Sequence, residues 1–105
     1  MRAETLKGHL DFLLLAALQR GPSHGYAVVE TLRARSGGSF DIPEGTIYPA
    51  LHRLERASLL TSRWSEESGR RRRTYRLTAR GLQTLEKHQR EWRQFRGAVE
   101  AVAGA

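Results

Sequence analysis

The stretch EESGRRRRTYRL, residues 66–77, sets four arginines between a Ser-Gly turn signal and an alternating Tyr-Arg-Leu. Ahead of it, Leu60 to Glu66 alternates Leu, Ser, Trp, Glu on one face with Thr, Arg, Ser on the other. Behind it, Arg72 to Leu77 alternates Arg73, Tyr75, Leu77 with Arg72, Thr74, Arg76. Two period-two segments joined through Glu67-Ser-Gly-Arg70 read as a β-hairpin. Arg70, Arg71, Arg72 and Arg73 then fall at its tip and on its returning strand. A protruding cationic hairpin can follow a phosphate ridge or enter a narrow minor groove, where the negative potential is enhanced. A solvated turn is the plainer alternative, and what surrounds the hairpin decides between them.

Just before it lies EGTIYPALHRLE, residues 44–55. The spacing predicts a helix from Thr46 to Ala57 with Ile47, Ala50, Leu51 and Leu54 inward. Pro49 lacks an N–H and crowds the preceding turn, so it is tolerable only near the helix start. A helix that enters a major groove needs small or hydrogen-bonding residues at its N-terminal end. Gly45 and Thr46 supply them, Tyr48 offers a hydroxyl, and His52 and Arg53 lie one turn on. The competing reading packs Tyr48 on the preceding helix and pairs Arg53 with Glu30 or Glu55.

That preceding helix is expected from His24 to Arg35, capped by Ser23, with Gly25, Val28, Val29 and Leu32 inward and Ser36-Gly-Gly-Ser39 ending it. The first helix lies in HLDFLLLAALQR and stops at Gly21-Pro22. Leu10, Leu13, Leu14, Ala17 and Leu18 share one face, while Phe12, Leu15 and Ala16 share the opposite one. A helix apolar on both faces calls for a second subunit as well as its own core. After the hairpin, Thr78 caps a last helix from Ala79 to about Ala103. In it Leu85, His88, Trp92, Phe95, Val99 and Val102 are spaced 3-4-3-4-3, a heptad seam longer than a three-helix core can cover.

Helix, helix, helix, hairpin, long helix predicts a mainly α chain with a β-hairpin. It is the order of a winged helix-turn-helix over residues 1–78, followed by a C-terminal dimerisation helix over 79–105, in one compact domain. A chain of 105 residues suits one domain.

The net charge of +7 is concentrated. Residues 61–80 hold seven arginines against two glutamates, while the flanking segments are each at +1. Such a local excess is the footprint of a polyanion binder. With no cysteine there is no disulfide framework and no thiolate metal site. His9, His24, His52 and His88 share no metal-ligand spacing, so no metal is expected. No cofactor is expected, and no nucleophile elbow, phosphate-binding glycine loop or carboxylate pair suggests an enzyme. The apolar run Phe12 to Leu18 is too short for a membrane span, and no cleavage site follows it. A soluble, cytoplasmic protein is expected.

Gly45-Thr-Ile-Tyr-Pro-Ala-Leu-His-Arg-Leu-Glu55 resembles the core motif of the PadR-type transcriptional regulators. His24-Gly-Tyr26, Gly69-Arg70-Arg71 and Tyr75-Arg-Leu-Thr-Ala-Arg-Gly81 match that family at the expected places, and the resemblance spans about residues 8–100. It implies a winged-helix homodimer joined by its first and last helices. It also implies sequence-specific promoter binding, usually as a repressor that a signal releases. Carried over, Thr46, Tyr48 and Pro49 match the recognition helix, Gly69, Arg70 and Arg71 the wing, and His24, Gly25 and Tyr26 the second-helix motif. One departure is Pro43, which stands where many members place Ser or Thr. The short last helix resembles the smaller subfamily.

The expected function is therefore a homodimeric regulator of double-stranded DNA with a palindromic operator. The expected dimer interface and cleft involve Phe12, Leu15, Leu85, His88, Trp92, Phe95 and Val99. Stacking of an apolar or aromatic effector on Trp92 is one reading, and core packing is the other. A winged-helix protein-interaction module is the alternative function. Binding to double-stranded RNA is disfavoured by its narrow major groove.

Overall fold

The computed structural model of the chain describes residues 8–104. Residues 1–7 and 105, and with them the outer ends of the two expected regions, lie outside the described residues. The elements are α1 (Leu10–Ala17), β1 (Ser23–His24), α2 (Gly25–Arg35), α3 (Glu44–Arg56), β2 (Leu60–Glu67), β3 (Arg70–Leu77) and α4 (Ala79–Ala103). This is a winged helix-turn-helix with a long C-terminal helix. The sheet is antiparallel in the order β1-β3-β2, so the arginine-bearing strand is central.

The core joins every helix to the sheet. Val28, Val29 and Leu32 of α2 and Ile47, Ala50, Leu51 and Leu54 of α3 are buried, the inward sets that the spacing predicts. Leu60 and Tyr75 close the core from the sheet and Leu85 from α4. In α1 the burial differs from expectation. Leu15 is only 1% exposed and joins Leu14 and Leu18 in the core, while Phe12, Leu13 and Ala16 pack at its margin. The reason is that α1 touches α2, α3 and α4 at once, so more than one of its faces is covered within the chain.

Three helix starts are informative. His24, not Ser23, caps α2: its Nδ1 accepts from the Ala27 N–H at 3.2 Å. Ser23 and His24 instead add β1 to the sheet, opposite Tyr75 and Thr74. A two-residue strand has no period to read. The α3 helix begins at Glu44, two residues earlier than expected, with an acidic residue in its first turn where the helix dipole favours one. No side chain caps it at Pro43, whose carbonyl accepts from Thr46 and Ile47. Pro49 lies within the helix. The partner its missing N–H would have had is the carbonyl of exposed Gly45, in the first turn, where water can substitute.

The hairpin turns at Ser68-Gly69, with φ of 52° and 75°. Left-handed conformation at both central residues makes a two-residue I′ turn, whose twist matches the strands. Thr78 caps α4 as expected, accepting from Gly81 N at 3.0 Å while donating to the Ser58 carbonyl at 2.7 Å. Gly81 is buried against the α3–β2 connection, where a Cβ would lie 2.0 Å from the Leu59 carbonyl oxygen. Beyond Leu85 and half-buried His88 the helix leaves the body, and every residue from Arg90 to Gly104 is exposed.

Two glycines of α4 should therefore respond oppositely to alanine. Gly81→Ala is expected to destabilise by about 1–3 kcal/mol, because a backbone carbonyl must move. Gly97→Ala meets open space and should stabilise by up to about 1 kcal/mol. Urea unfolding of the two variants against the parent measures both.

Candidate nucleic-acid interface

The hairpin stands beside the N-terminal ends of α2 and α3, and the three enclose a groove. His24 and Tyr26, Glu44 and Tyr48, and Trp64 with Arg70, Arg71, Arg72 and Arg73 line a hollow of about 570 Å³. Strand register sorts the arginines. Arg73 lies opposite Trp64 and Arg71 opposite Glu66, on the face that carries Tyr75. Alternation puts Arg70 and Arg72 on the other face, with Thr74 and its partner His24.

The four guanidiniums have different surroundings. Arg73 is a strut: its Nε donates to Ser62 Oγ at 2.7 Å and its Nη2 to Glu55 Oε1 at 3.5 Å. Ser62 donates in turn to the other oxygen of Glu55. This network ties the wing to the last turn of α3. Arg72 Nη1 lies 2.8 Å from His24 Nε2. A neutral imidazole accepts at only one nitrogen, and Nδ1 already caps α2. The two contacts therefore compete, and an acceptor placed between His24 Nε2 and Arg72 would relieve them. Arg71 holds its guanidinium 4.7 Å over the Trp64 ring. Arg70 is exposed and has no ion-pair partner among the described residues.

On α3, Gly45, Thr46, Pro49, His52 and Arg53 are all exposed. The His52 ring lies 6.5 Å from that of Tyr75. Arg53 pairs with Asp11 of α1, rather than with Glu30 or Glu55. Glu55 is already engaged by the wing, and α1 passes close to α3. The pair is exposed, so it is worth about 0.2–1 kcal/mol. Tyr48 is half-buried and packs on α2 while also lining the groove. A Cβ on Gly25 would lie 2.3 Å from its Cε1, so the glycine makes room for the ring. Burial raises the Tyr48 pKa above 10.0. The hydrogen bond of Tyr26 to Glu30 raises that of Tyr26. Both hydroxyls keep their protons at neutral pH; that of Tyr48 can donate to a phosphate, whereas that of Tyr26 must first leave Glu30.

The second expected site lies where α4 leaves the body. Phe12 meets His88 edge-on with ring centroids 5.6 Å apart, and Trp92 and Phe95 are 6.2 Å apart. These four, with Gly8, His9 and Glu91, border an open hollow of about 330 Å³. Leu15 and Leu85, expected here, are 1% and 0% exposed and belong to the chain's own core, so neither lines the hollow. Val99 lies exposed farther along α4.

The family model of the PadR-like transcriptional regulators matches residues 14–87. The chain belongs to this family. Its members are regulators rather than enzymes. A transcriptional regulator of Mycobacterium tuberculosis is 40% identical over 81 residues, 77% of this chain and 71% of that one. The regulator YqjI of Escherichia coli is 32% identical over 94 residues, 90% of this chain, which spans only 44% of that protein. Among solved structures, a PadR family regulator from Clostridium difficile is 33% identical, with a TM-score of 0.82 over 92% of this chain and all (100%) of that one. Bacillus subtilis PadR in complex with operator DNA shares the fold, with a TM-score of 0.70 and 24% identity over 77% of this chain and 46% of that one.

Within this PadR-like protein, five residues of the groove and its supports were not singled out from the sequence: Trp64, Glu44, Ser62, Glu55 in its strut role, and Asp11. Only Trp64 carried a signal, its period-two place beside the arginines. The Gly25–Tyr48 contact is directly testable. Gly25→Ala should cost about 1–3 kcal/mol of stability, and Tyr48→Ala should relieve most of that clash. Unfolding of the double variant should then fall short of the sum of the single losses.

Proposed function

We propose that this chain is a homodimeric, sequence-specific DNA-binding transcriptional repressor acting in the cytoplasm. The observation that carries the reading is the groove of arginines and tyrosines between the N-terminal end of α3 and the wing. In this reading α3 enters a major groove with Gly45, Thr46, Tyr48, Pro49, His52 and Arg53 nearest the base edges. The phosphate ridge passes between α3 and the wing. There Arg70, Arg71 and the His24–Arg72 pair offer donors, Tyr26 adds one once it exchanges Glu30 for phosphate, and a single phosphate oxygen can accept from both His24 Nε2 and Arg72. Gly69 lets the tip come close. Arg73 holds the wing at its angle instead of contacting DNA. Bacillus subtilis PadR, whose fold this chain shares, is known in complex with operator DNA, which supports a DNA partner for this fold.

The dimer uses α1 and the outer half of α4, where Trp92, Phe95, Val99 and Val102 are 43%, 61%, 44% and 91% exposed. Two copies would place the recognition helices about 34 Å apart on a near-palindromic operator. An apolar aromatic effector in the Trp92 hollow would change the angle between the two lobes and so release DNA. If a ligand that saturates this hollow leaves operator affinity unchanged, control through it is wrong.

Fluorescence anisotropy on DNA selected from a random pool tests the main reading. Arg70→Ala and Arg71→Ala should each weaken binding to all sequences and lower the salt slope by about 1. Thr46→Ala should instead relax sequence preference. Equal, weak binding to selected and scrambled DNA would favour a protein-docking role. Sedimentation tests the dimer: Phe95→Asp should yield monomers and lose operator binding, whereas an unchanged dimer would move the interface elsewhere.

A further inference from the structure

Trp64 is an oddity in the wing. It is 53% exposed, although it sits on the same face as buried Tyr75. Core burial therefore does not explain the ring, and its immediate company is cationic. Arg71 lies 4.7 Å and Arg73 5.6 Å from the ring centroid. Directly across the strands, however, Arg71 faces Glu66, a carboxylate that could have taken its charge. No ion pair between the two forms among the described residues, and the guanidinium lies over the indole instead. The two partners differ in consequence. A carboxylate would neutralise Arg71 and occupy its N–H donors. An aromatic face attracts the cation and leaves the in-plane donors free. Trp64 and Arg71 also line the same groove as Tyr26 and Tyr48.

We propose that Trp64 is a positioning residue for Arg71, holding its guanidinium over the groove so that its donors reach a backbone phosphate with little ordering left to do. The assignment rests on the DNA-binding reading above. It explains why the wing keeps a large aromatic side chain in water. It also separates Arg71 from Arg73, whose donors Ser62 and Glu55 already occupy.

Two measurements test it. In the free protein, NMR should find the Arg71 Cδ protons shifted upfield by the indole ring current, and Trp64→Leu should abolish the shift. Absence of the shift in the parent protein would overturn the assignment whatever DNA does. On selected DNA, Trp64→Leu should weaken binding about two- to fivefold, and Trp64→Phe should retain most of the affinity. Arg71→Ala combined with Trp64→Leu should bind no worse than Arg71→Ala alone. A Trp64→Leu protein that binds like the parent, or losses that simply add, would overturn the role of Trp64 while leaving the DNA-binding reading intact. A parent protein that selects no DNA would instead overturn that reading and the assignment with it.

Discussion

The burial of Tyr75 sets the wing. This ring is 1% exposed, at the centre of a three-stranded sheet, with Ser62 opposite it on β2 and Ser23 opposite it on β1. Side chains on a strand alternate, so burying one position assigns every other. With Tyr75 inward, Arg73 and Arg71 share its face beside Trp64, and Arg72 and Arg70 turn to the face of His24. A slip of one residue would exchange the two pairs and place an arginine in the core. Burial also raises the Tyr75 pKa, so the ring stays neutral where a charge would be costly.

Three contacts hold the elements in place around α3, and each has a local reason. Gly25 admits the Tyr48 ring, which seats α3 on α2. Gly81 admits the Leu59 carbonyl, which seats α4 on the connection after α3. Glu55, Ser62 and Arg73 form a hydrogen-bonded triangle that fixes the hairpin against the end of α3. The first two are steric and the third polar, so they should respond differently to salt. A rigid relation between α3 and the wing is what a duplex requires, because groove and neighbouring phosphate ridge have a set separation.

The molecule divides its apolar surface in two. One part forms the core and is buried within the chain itself, as Leu14, Leu15 and Leu85 show. The other continues the α4 seam into solvent from Trp92 onward. No described helix is long and apolar enough to cross a membrane. That stripe is the face that the proposed dimer would cover, and its inner end opens on the hollow beside Phe12.

Much of this was legible in the sequence by itself. The inward stripes of α2 and α3, the Thr78 cap, the hairpin and its Ser-Gly turn, and the charge concentrated at residues 61–80 all follow from periodicity, turn chemistry and composition. These are local properties, repeated along the chain often enough to be read. Tertiary structure alone decided the rest: that Leu15 and Leu85 face inward, that His24 both caps a helix and joins the sheet, that Arg53 meets Asp11, and that four adjacent arginines have four different surroundings. Periodicity says which face a residue occupies, but not which side chain of another element comes to stand opposite it. That depends on how helices and strands pack in three dimensions. Charge that looks uniform along the chain is thereby divided into a strut, a guanidinium against His24, a guanidinium stacked on Trp64 and an exposed tip.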